Sequence, residues 1–191
     1  MNIFVLDLDP EKAAIMHCDK HVPKMCVEAA QMMASALRRH DAPSERMPLT
    51  KAGTPYKGGY KHHPCTVWAG DSRMNFMWLA THALALCKEY ELRFTEGKTM
   101  NVEHACKTPI LHMIDWIEYI PEGDYTPFAL AMPDEYRPRT WTTKTTQEPI
   151  MRSCGDTAVQ AYRRYYHSKQ FAKWEKGTPA PDWWQGVEVT A

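Results

Sequence analysis

Close to the start of the chain, amines and a carboxylate recur at a spacing suited to acid/base chemistry. Lys20, Lys24 and Glu28 follow one another at intervals of four residues, which places side chains on neighbouring turns of one helix face. With His21 they form a candidate catalytic cluster, because a carboxylate among amines can transfer protons. The alternative is a surface ion pair between Lys24 and Glu28, which stabilises a helix by about 0.3–0.5 kcal/mol.

Histidines and cysteines raise the question of a metal site. His17 and His21 are four residues apart and His63 is a candidate third ligand, so a metal-dependent hydrolase is one alternative. No H-E-x-x-H motif accompanies them, which favours histidines without a metal. The six cysteines lie far apart with no C-x-x-C pair, a pattern typical of buried thiols in a reducing compartment. We therefore predict no metal site, structural zinc included, and no cofactor.

Two further sets of residues suit contact with nucleic acid. The first stands at the front of a predicted helix, where free N–H groups and the helix dipole favour phosphate and an aromatic ring could stack on a base. The second is basic and aromatic, and fits either a nucleic-acid backbone or a groove in the core. Helix capping by Asp71 explains part of the first set equally well. The candidates for nucleic-acid binding are His63, Trp68, Arg73, Asn75, Lys144 and Arg163.

Overall charge and missing motifs exclude several classes of function. The 23 basic and 23 acidic residues give a net charge of +0, so any contact with DNA must come from a local patch. The absence of P-loop, G-x-G-x-x-G and G-x-S-x-G motifs disfavours nucleotide hydrolysis and serine-esterase chemistry. No apolar run approaches the roughly 18 residues needed to span a bilayer, and the start lacks a signal-peptide pattern. We expect a cytoplasmic protein with no membrane contact.

Helical periodicity dominates the chain and must position these residues. It predicts helices over 10–20, 22–39, 64–93 with a break at Gly70 and Asp71, 108–120, and 155–176. A short extended segment at 3–8 precedes them, and a surface loop at 42–61, an irregular segment at 121–150 and a tail at 178–191 complete the chain. We therefore predict a mainly α protein, a single compact domain over 1–191 with about five to six helices.

The second predicted helix has one apolar and one polar face. The apolar face is predicted to pack and consists of Val22, Cys26, Ala29, Ala30, Met33 and Leu37. The polar face consists of Lys24, Glu28, Gln31, Ser35 and Arg38. The candidate catalytic cluster thus lies at the start of a polar stripe.

Short motifs in this region resemble a known family. Asp19, His21 and, after six further residues, Glu28, in a helix ending in the basic residues 37–40, resemble the N-terminal region of the pyrimidine-dimer DNA glycosylases of the phage endonuclease V type. His63, the helix through residues 76–86, and residues 87–94 are similar in order to that family's long second helix. The chain also resembles a group of small, uncharacterised phage-encoded proteins.

The resemblance implies an all-helical enzyme that excises a base from DNA and then cleaves the strand. In the family the N-terminal α-amine attacks C1′ of the sugar and a helix glutamate assists, which maps the acid/base role onto Glu28. The amine maps onto the chain start, which makes Met1 and Asn2 candidate catalytic residues. It is that of Met1 if this residue is retained, and Asn2 is larger than the residue that normally permits removal of methionine. An α-amine has a reference pKa of about 7.7–8.0 against about 10.4 for lysine, so more of it is nucleophilic at neutral pH. The implied partner is duplex DNA with a damaged or modified base, flipped out of the stack.

Other interpretations remain open at this stage. In family members, arginines immediately before and three residues after the glutamate bind phosphates near the lesion. This chain has Val27 and Gln31 at those positions, so the resemblance does not extend to these phosphate contacts. Lys20 or Lys24 is an alternative nucleophile. A non-catalytic phage protein that binds a host factor or small ligand through the loop 42–61 and the aromatic tail is the alternative from another class. The sequence does not predict the oligomeric state.

Overall fold

Six α-helices dominate the computed structural model, which describes residues 1–50, 52–95, 102–141 and 147–187. Within these ranges the helices are α1 (Pro10–Ile15), α2 (His21–Arg39), α3 (Pro64–Ala69), α4 (Arg73–Phe94), α5 (Lys107–Ile114) and α6 (Gly155–His167). Short 3₁₀ helices lie at Ser44–Arg46, Ile117–Tyr119 and Asp134–Tyr136. The predicted mainly α fold is confirmed. No helix in the described ranges has the length and apolar character needed to cross a membrane.

The described residues contain four short strands, three of which lie in the segment predicted to be irregular. They are β1 (Phe128–Ala129), β2 (Arg139–Trp141), β3 (Gln147–Pro149) and β4 (Arg152–Ser153). β1 pairs with β4 and β2 pairs with β3, each antiparallel. The prediction of an irregular segment at 121–150 is therefore wrong in part, because two- and three-residue strands carry too little periodicity to be recognised in a sequence.

The first helix begins where its capping residues predict and ends earlier than expected. Asp9 accepts hydrogen bonds from the backbone N–H groups of Glu11 and Lys12, and Pro10 takes the first helical position. The helix ends at Ile15, not near residue 20, because the guanidinium of Arg93 donates to the carbonyl oxygens of Ile15 and His17. These carbonyls therefore have partners outside the helix.

At the other helices too, capping residues mark the starts and tertiary contacts determine the ends. The break at Gly70 and Asp71 is confirmed, since Ser72 accepts a hydrogen bond from the backbone N–H of Asn75 and starts a new helix. The helix predicted over 108–120 is α5, which ends earlier, at Ile114, and the chain continues as a 3₁₀ turn. The last helix ends at His167, so the predicted end at 176 is wrong. The chain turns there because the tail folds back on α6, with the Trp184 ring stacked on His167 at 4.9 Å between centroids.

The core forms where α2 packs against α4, α3 and α5, while α1 packs against α4. The predicted apolar face of α2 is buried along its whole length, with every side chain at most 1% exposed. Residues 3–6, ahead of α1, are also buried and pass through this core without pairing as a strand. Burial of a large apolar side chain contributes about 1.5–3 kcal/mol, so this segment is firmly held. The chain start is thereby fixed beside α2.

Candidate active site

A polar cleft of about 210 Å³ opens between the chain start, the first turns of α2 and the region of α6. Residues from three separate parts of the chain surround it. They are Met1, Asn2, Phe4, His21, Lys24, Glu28, Tyr165, Lys169 and Phe171. Five of the six residues proposed for catalysis from the sequence line this cleft, and the sixth, Lys20, lies beside it with its Nζ 4.7 Å from the centre of the Phe171 ring.

The α-amine of the chain start and the helix carboxylate meet in the cleft. The nitrogen of Met1 lies 3.5 Å from Oε2 of Glu28. Lys24, one turn earlier on α2, places its Nζ 3.4 Å from the other oxygen, Oε1. The Glu28 side chain is 13% exposed and that of Lys24 is 61% exposed. The carboxylate therefore bridges two amines, that of the chain start and that of an exposed lysine side chain.

Side-chain packing and hydrogen bonds fix the position of this amine. The Met1 side chain is only 1% exposed and packs against the core. Oδ1 of Asn2 accepts hydrogen bonds from the backbone N–H groups of Ile3 and Phe4, and its Nδ2 donates to the carbonyl of Ala131 at 2.7 Å. The Met1 nitrogen is consequently oriented by both of its neighbours, the buried side chain and the Asn2 turn.

Phe4 adopts an unusual backbone conformation that directs its ring into the cleft. Its φ of 35° lies in a region that bulky residues rarely occupy. The ring packs 4.8 Å from that of His21 and stacks at 5.8 Å on that of Tyr165. Strained residues of this kind concentrate at functional sites, where surrounding contacts hold them in place. The strain here gives the cleft an aromatic wall.

His21 lines the cleft as a neutral ring. Burial lowers its pKa to about 3, and the positive charges of Lys24, Lys169 and Lys20 act in the same direction. Its Nδ1 lies 2.8 Å from the hydroxyl of Tyr166. An imidazolium is therefore not available at neutral pH, and we do not assign His21 the role of a cationic acid.

Lys169, which follows α6, adds a third amine to the cleft wall. Its Nζ lies 3.4 Å from the centre of the Tyr165 ring, a cation–π contact. Burial, with a smaller effect of Lys24, lowers the pKa of Lys169 to about 8. This side chain is thus both a positive charge for an anionic ligand and an amine that is partly unprotonated near neutral pH.

Three of the six residues predicted to contact nucleic acid differ in their positions. His63 lies beside the cleft: burial lowers its pKa, the charge of the Met1 amine lowers it further, and that of Glu28 raises it. Arg163 is half-buried, donates from Nε to the carbonyl of Leu6 and stacks over Trp183. Arg163 therefore holds the N-terminal segment and the tail. Lys144 lies outside the described residues.

Three of the predicted DNA contacts instead stabilise the fold, which corrects the sequence-based interpretation. Trp68 is fully buried and donates from Nε1 to the carbonyl of Thr126, so it cannot stack on a base. Asn75 is also fully buried and exchanges hydrogen bonds with the same threonine. Arg73 donates to the carbonyls of Ile120 and Glu118 and thereby ties α4 to the turn that follows α5. The polar groups around the start of α4 therefore hold parts of the fold together.

A basic groove extends the polar stripe of α2 away from the cleft. It has a volume of about 550 Å³ and is lined by Ser35, Arg38, Arg39, Lys57, Lys61, His62 and Val67. The loop after α2 forms its other wall, and it crosses the helix closely at Gly58, where an added Cβ would lie 2.2 Å from the Ser35 hydroxyl oxygen. Arg38 is ten residues beyond Glu28, or about 15 Å along the helix.

The sequence interpretation missed the aromatic and basic residues that α6 and its continuation bring to the cleft. Phe4, Tyr165, Lys169 and Phe171 were not among the predicted site residues. Their signal was weak because they lie more than 130 residues after Glu28 or, for Phe4, in an apolar run that resembled a strand. Only the tertiary fold brings them together.

The alternative of a metal site at His17, His21 and His63 finds no support within the described residues. His17 uses Nδ1 to donate to the carbonyl of Ala13, and His63 uses Nδ1 to accept from the backbone N–H of Cys65. His17, His21 and His63 do not bring ligand atoms together among the residues that the structure covers. The metal-hydrolase alternative therefore has no geometric basis at these positions.

Fold and cleft together define a mainly helical protein that presents its N-terminal α-amine to a helix carboxylate. The chain matches the sequence model of the pyrimidine dimer DNA glycosylase family over residues 1–104 of 191, and it belongs to this family. The match includes α1 to α4, and with them Met1 and Glu28. No curated protein and no solved structure gave a significant match. Membership supports a DNA glycosylase-like function and implies DNA as the substrate.

Proposed function

We propose that the protein excises a damaged or modified base from duplex DNA by attack of the Met1 α-amine, and then cleaves the strand. The observation that carries this proposal is the 3.5 Å contact between the Met1 nitrogen and Glu28 in an open cleft. This amine is fixed beside Glu28 by the buried Met1 side chain, whereas the Lys24 side chain is 61% exposed and Nζ of Lys169 lies on the Tyr165 ring. Glu28 is the acid/base group, because it is the carboxylate on α2 that lines the cleft and contacts the amine.

The reaction requires one nucleophile and one group that exchanges protons. The lone pair of the unprotonated amine forms a bond with C1′, and the bond from C1′ to the base breaks as the base leaves and takes up a proton. Loss of one amine proton and protonation of the ring oxygen, O4′, then open the sugar to a protonated imine. Removal of a C2′ proton expels the 3′ phosphate. Glu28 is within reach of the amine for these proton transfers.

The remaining side chains of the cleft suit a nucleotide. The Phe171 ring, 39% exposed at the cleft, offers a surface on which a flipped base stacks, and Phe4 and Tyr165 form the wall behind it. Lys24 and Lys169 supply positive charge for the flanking phosphates. The basic groove on α2, with Arg38, continues this charge along the helix. A local surface of this kind supports DNA binding by a chain with no net charge.

Borohydride trapping tests the proposal. The full chain is incubated with duplexes that contain a pyrimidine dimer, an abasic site or no lesion, with and without sodium borohydride. We expect base release and strand cleavage on the dimer or another modified base, and a covalent protein–DNA adduct once the imine is reduced. An intact-mass measurement of the protein establishes that Met1 is the first residue.

Three results would contradict the proposal. Absence of an adduct on every duplex, including the abasic one, would exclude an imine mechanism. A stable stoichiometric complex with a host protein, together with no turnover of any duplex, would instead favour the binding-protein alternative. Chelator-sensitive cleavage that leaves no adduct would point to metal-dependent hydrolysis.

A further inference from the structure

Three potential metal ligands from distant parts of the chain meet away from the cleft. They are Cys26 on α2, Cys87 on α4 and His104 just before α5, and their ligand atoms lie within 4.8 Å of one another. Both cysteines are fully buried. Sulfur and imidazole nitrogen are the ligands that zinc prefers in structural sites. The group therefore has the ligand types and the spacing of a metal site.

The distance between the two sulfur atoms fits a shared metal ion. Sγ of Cys26 and Sγ of Cys87 are 3.7 Å apart. Two thiolates on one tetrahedral zinc, each at about 2.3 Å from the metal, are about 3.8 Å apart. A disulfide would require about 2.05 Å. A thiol–thiol hydrogen bond spans a similar distance to the metal-bridged pair, so the experiment must separate these two states.

Cys106 offers a fourth ligand beside this group. It is 4% exposed, follows His104 by two residues, and its thiol lies 3.6 Å from the hydroxyl of Tyr56. Its backbone N–H donates to Nδ1 of His104 at 3.2 Å. Metal binding at either ring nitrogen breaks this hydrogen bond, because the nitrogen either binds the metal or must carry the proton. Without this hydrogen bond the Cys106 side chain can turn toward the metal, while the carbonyl oxygen of Cys106 still accepts from the backbone N–H of Ile110 at the start of α5.

We propose that Cys26, Cys87, His104 and Cys106 form a structural zinc site. Four protein ligands complete a tetrahedral zinc, which leaves no open position for catalysis. The ion would join α2, α4 and the start of α5 on the apolar face of α2, opposite the polar stripe that carries Glu28. The site revises the expectation of no zinc: Cys26 and Cys87 are 61 residues apart in sequence, so no short spacing motif reveals them.

Metal analysis of the purified full chain tests the site independently of any DNA activity. We expect a single zinc ion per chain after dialysis, and tetrahedral thiolate bands in the visible and near-ultraviolet spectrum when cobalt(II) replaces it. The Cys87→Ser variant should lose the ion. The Cys65→Ser variant, which changes another fully buried cysteine outside the group, should retain it. Cobalt(II) binding to the unmodified chain keeps the test valid even where a variant fails to fold.

The proposal would be overturned by a chain that neither retains zinc nor takes up zinc or cobalt(II) on titration. Equal metal content in the Cys65→Ser and Cys87→Ser variants would also overturn it, because binding would then be independent of these ligands. A Cys26–Cys87 disulfide in the purified protein, seen by peptide mapping without reduction, would have the same effect.

Discussion

At the scale of single residues, the candidate site depends on a contact that sequence spacing cannot reveal. The interval of four residues predicted that Lys24 and Glu28 are neighbours, and the structure places their charged atoms 3.4 Å apart. Nothing in the spacing predicts that Met1 joins them, since its position follows from a buried side chain and from the hydrogen bonds of Asn2. Only the resemblance to a glycosylase family pointed to the chain start.

Replacement of Glu28 by Gln should separate the two chemical roles in the cleft. The amide has nearly the same shape but cannot exchange protons, so base release from a damaged duplex should fall about 10²- to 10⁴-fold. The adduct with a preformed abasic site should fall much less, because imine formation needs only the free amine. Gel assays of the two duplexes at saturating protein measure both rates.

The matched control is Glu11→Gln, an exposed glutamate in the first turn of α1. It should leave both rates unchanged. Equal losses on the damaged and the abasic duplex in Glu28→Gln would argue that Glu28 only positions the amine, and unchanged rates would remove it from the mechanism.

At the scale of elements, capping residues predicted where helices begin, and tertiary contacts determine where they end. Asp9 with Pro10 set the start of α1, and the break before α4 followed from the residues around Gly70. The early end of α1 depends on Arg93, which is 78 residues away from Ile15. A contact between residues so far apart in sequence cannot be recognised in a local pattern. The end of α6 was misplaced because it too depends on a tertiary contact, that of the tail with His167.

Arg93 should be the residue on α4 whose loss damages the fold most. Its side chain is fully buried, with ion pairs at 2.8 Å to Glu89 and 3.2 Å to Asp19. Replacement by Gln leaves two sheltered carboxylates without their cation, which costs about 3–5 kcal/mol of unfolding free energy. Urea denaturation of the variant and the unmodified protein measures the difference.

Arg38→Gln is the control for this measurement, because Arg38 is exposed at the end of α2. It should change the unfolding free energy by less than about 0.5 kcal/mol. A loss of that small size in Arg93→Gln would contradict the view that Arg93 joins α1, α2 and α4.

At the scale of the whole molecule, neutral histidines in the interior link stability to pH. Burial lowers the pKa of His82 to about 4, lowers that of His21 to about 3, and lowers that of His17 well below its usual value. His17 and His82 each donate from Nδ1 to a carbonyl of α1. The composition predicted a helical fold but could not indicate this cluster, since histidines at 17 and 82 meet only through the packing of α1 on α4.

Acid should therefore destabilise the fold over a defined range. Below about pH 6.5 the unfolded chain protonates these histidines while the folded chain does not, so the unfolded state binds more protons. The unfolding free energy should decrease by about 1.4 kcal/mol per pH unit for each histidine as pH falls from 6.5 to about 4. Denaturation midpoints across this range measure the slope.

The His82→Asn variant provides the comparison, since its amide can still donate to the carbonyl of Pro10. The variant should lose stability with falling pH less steeply, by about one histidine's contribution. A stability that is level from pH 6.5 to 4 in the unmodified protein would contradict the neutral buried histidines.

The position of the covalent bond in the trapped adduct tests the central claim most directly. Four amines compete in or beside the cleft: the Met1 α-amine, Lys20, Lys24 and Lys169. After borohydride reduction on an abasic duplex, nuclease and protease digestion followed by mass spectrometry locates the sugar remnant on one peptide. We predict that it is attached to the α-amine of Met1. Attachment to a lysine side chain, with Met1 unmodified, would contradict the assignment of the N-terminal amine as the nucleophile.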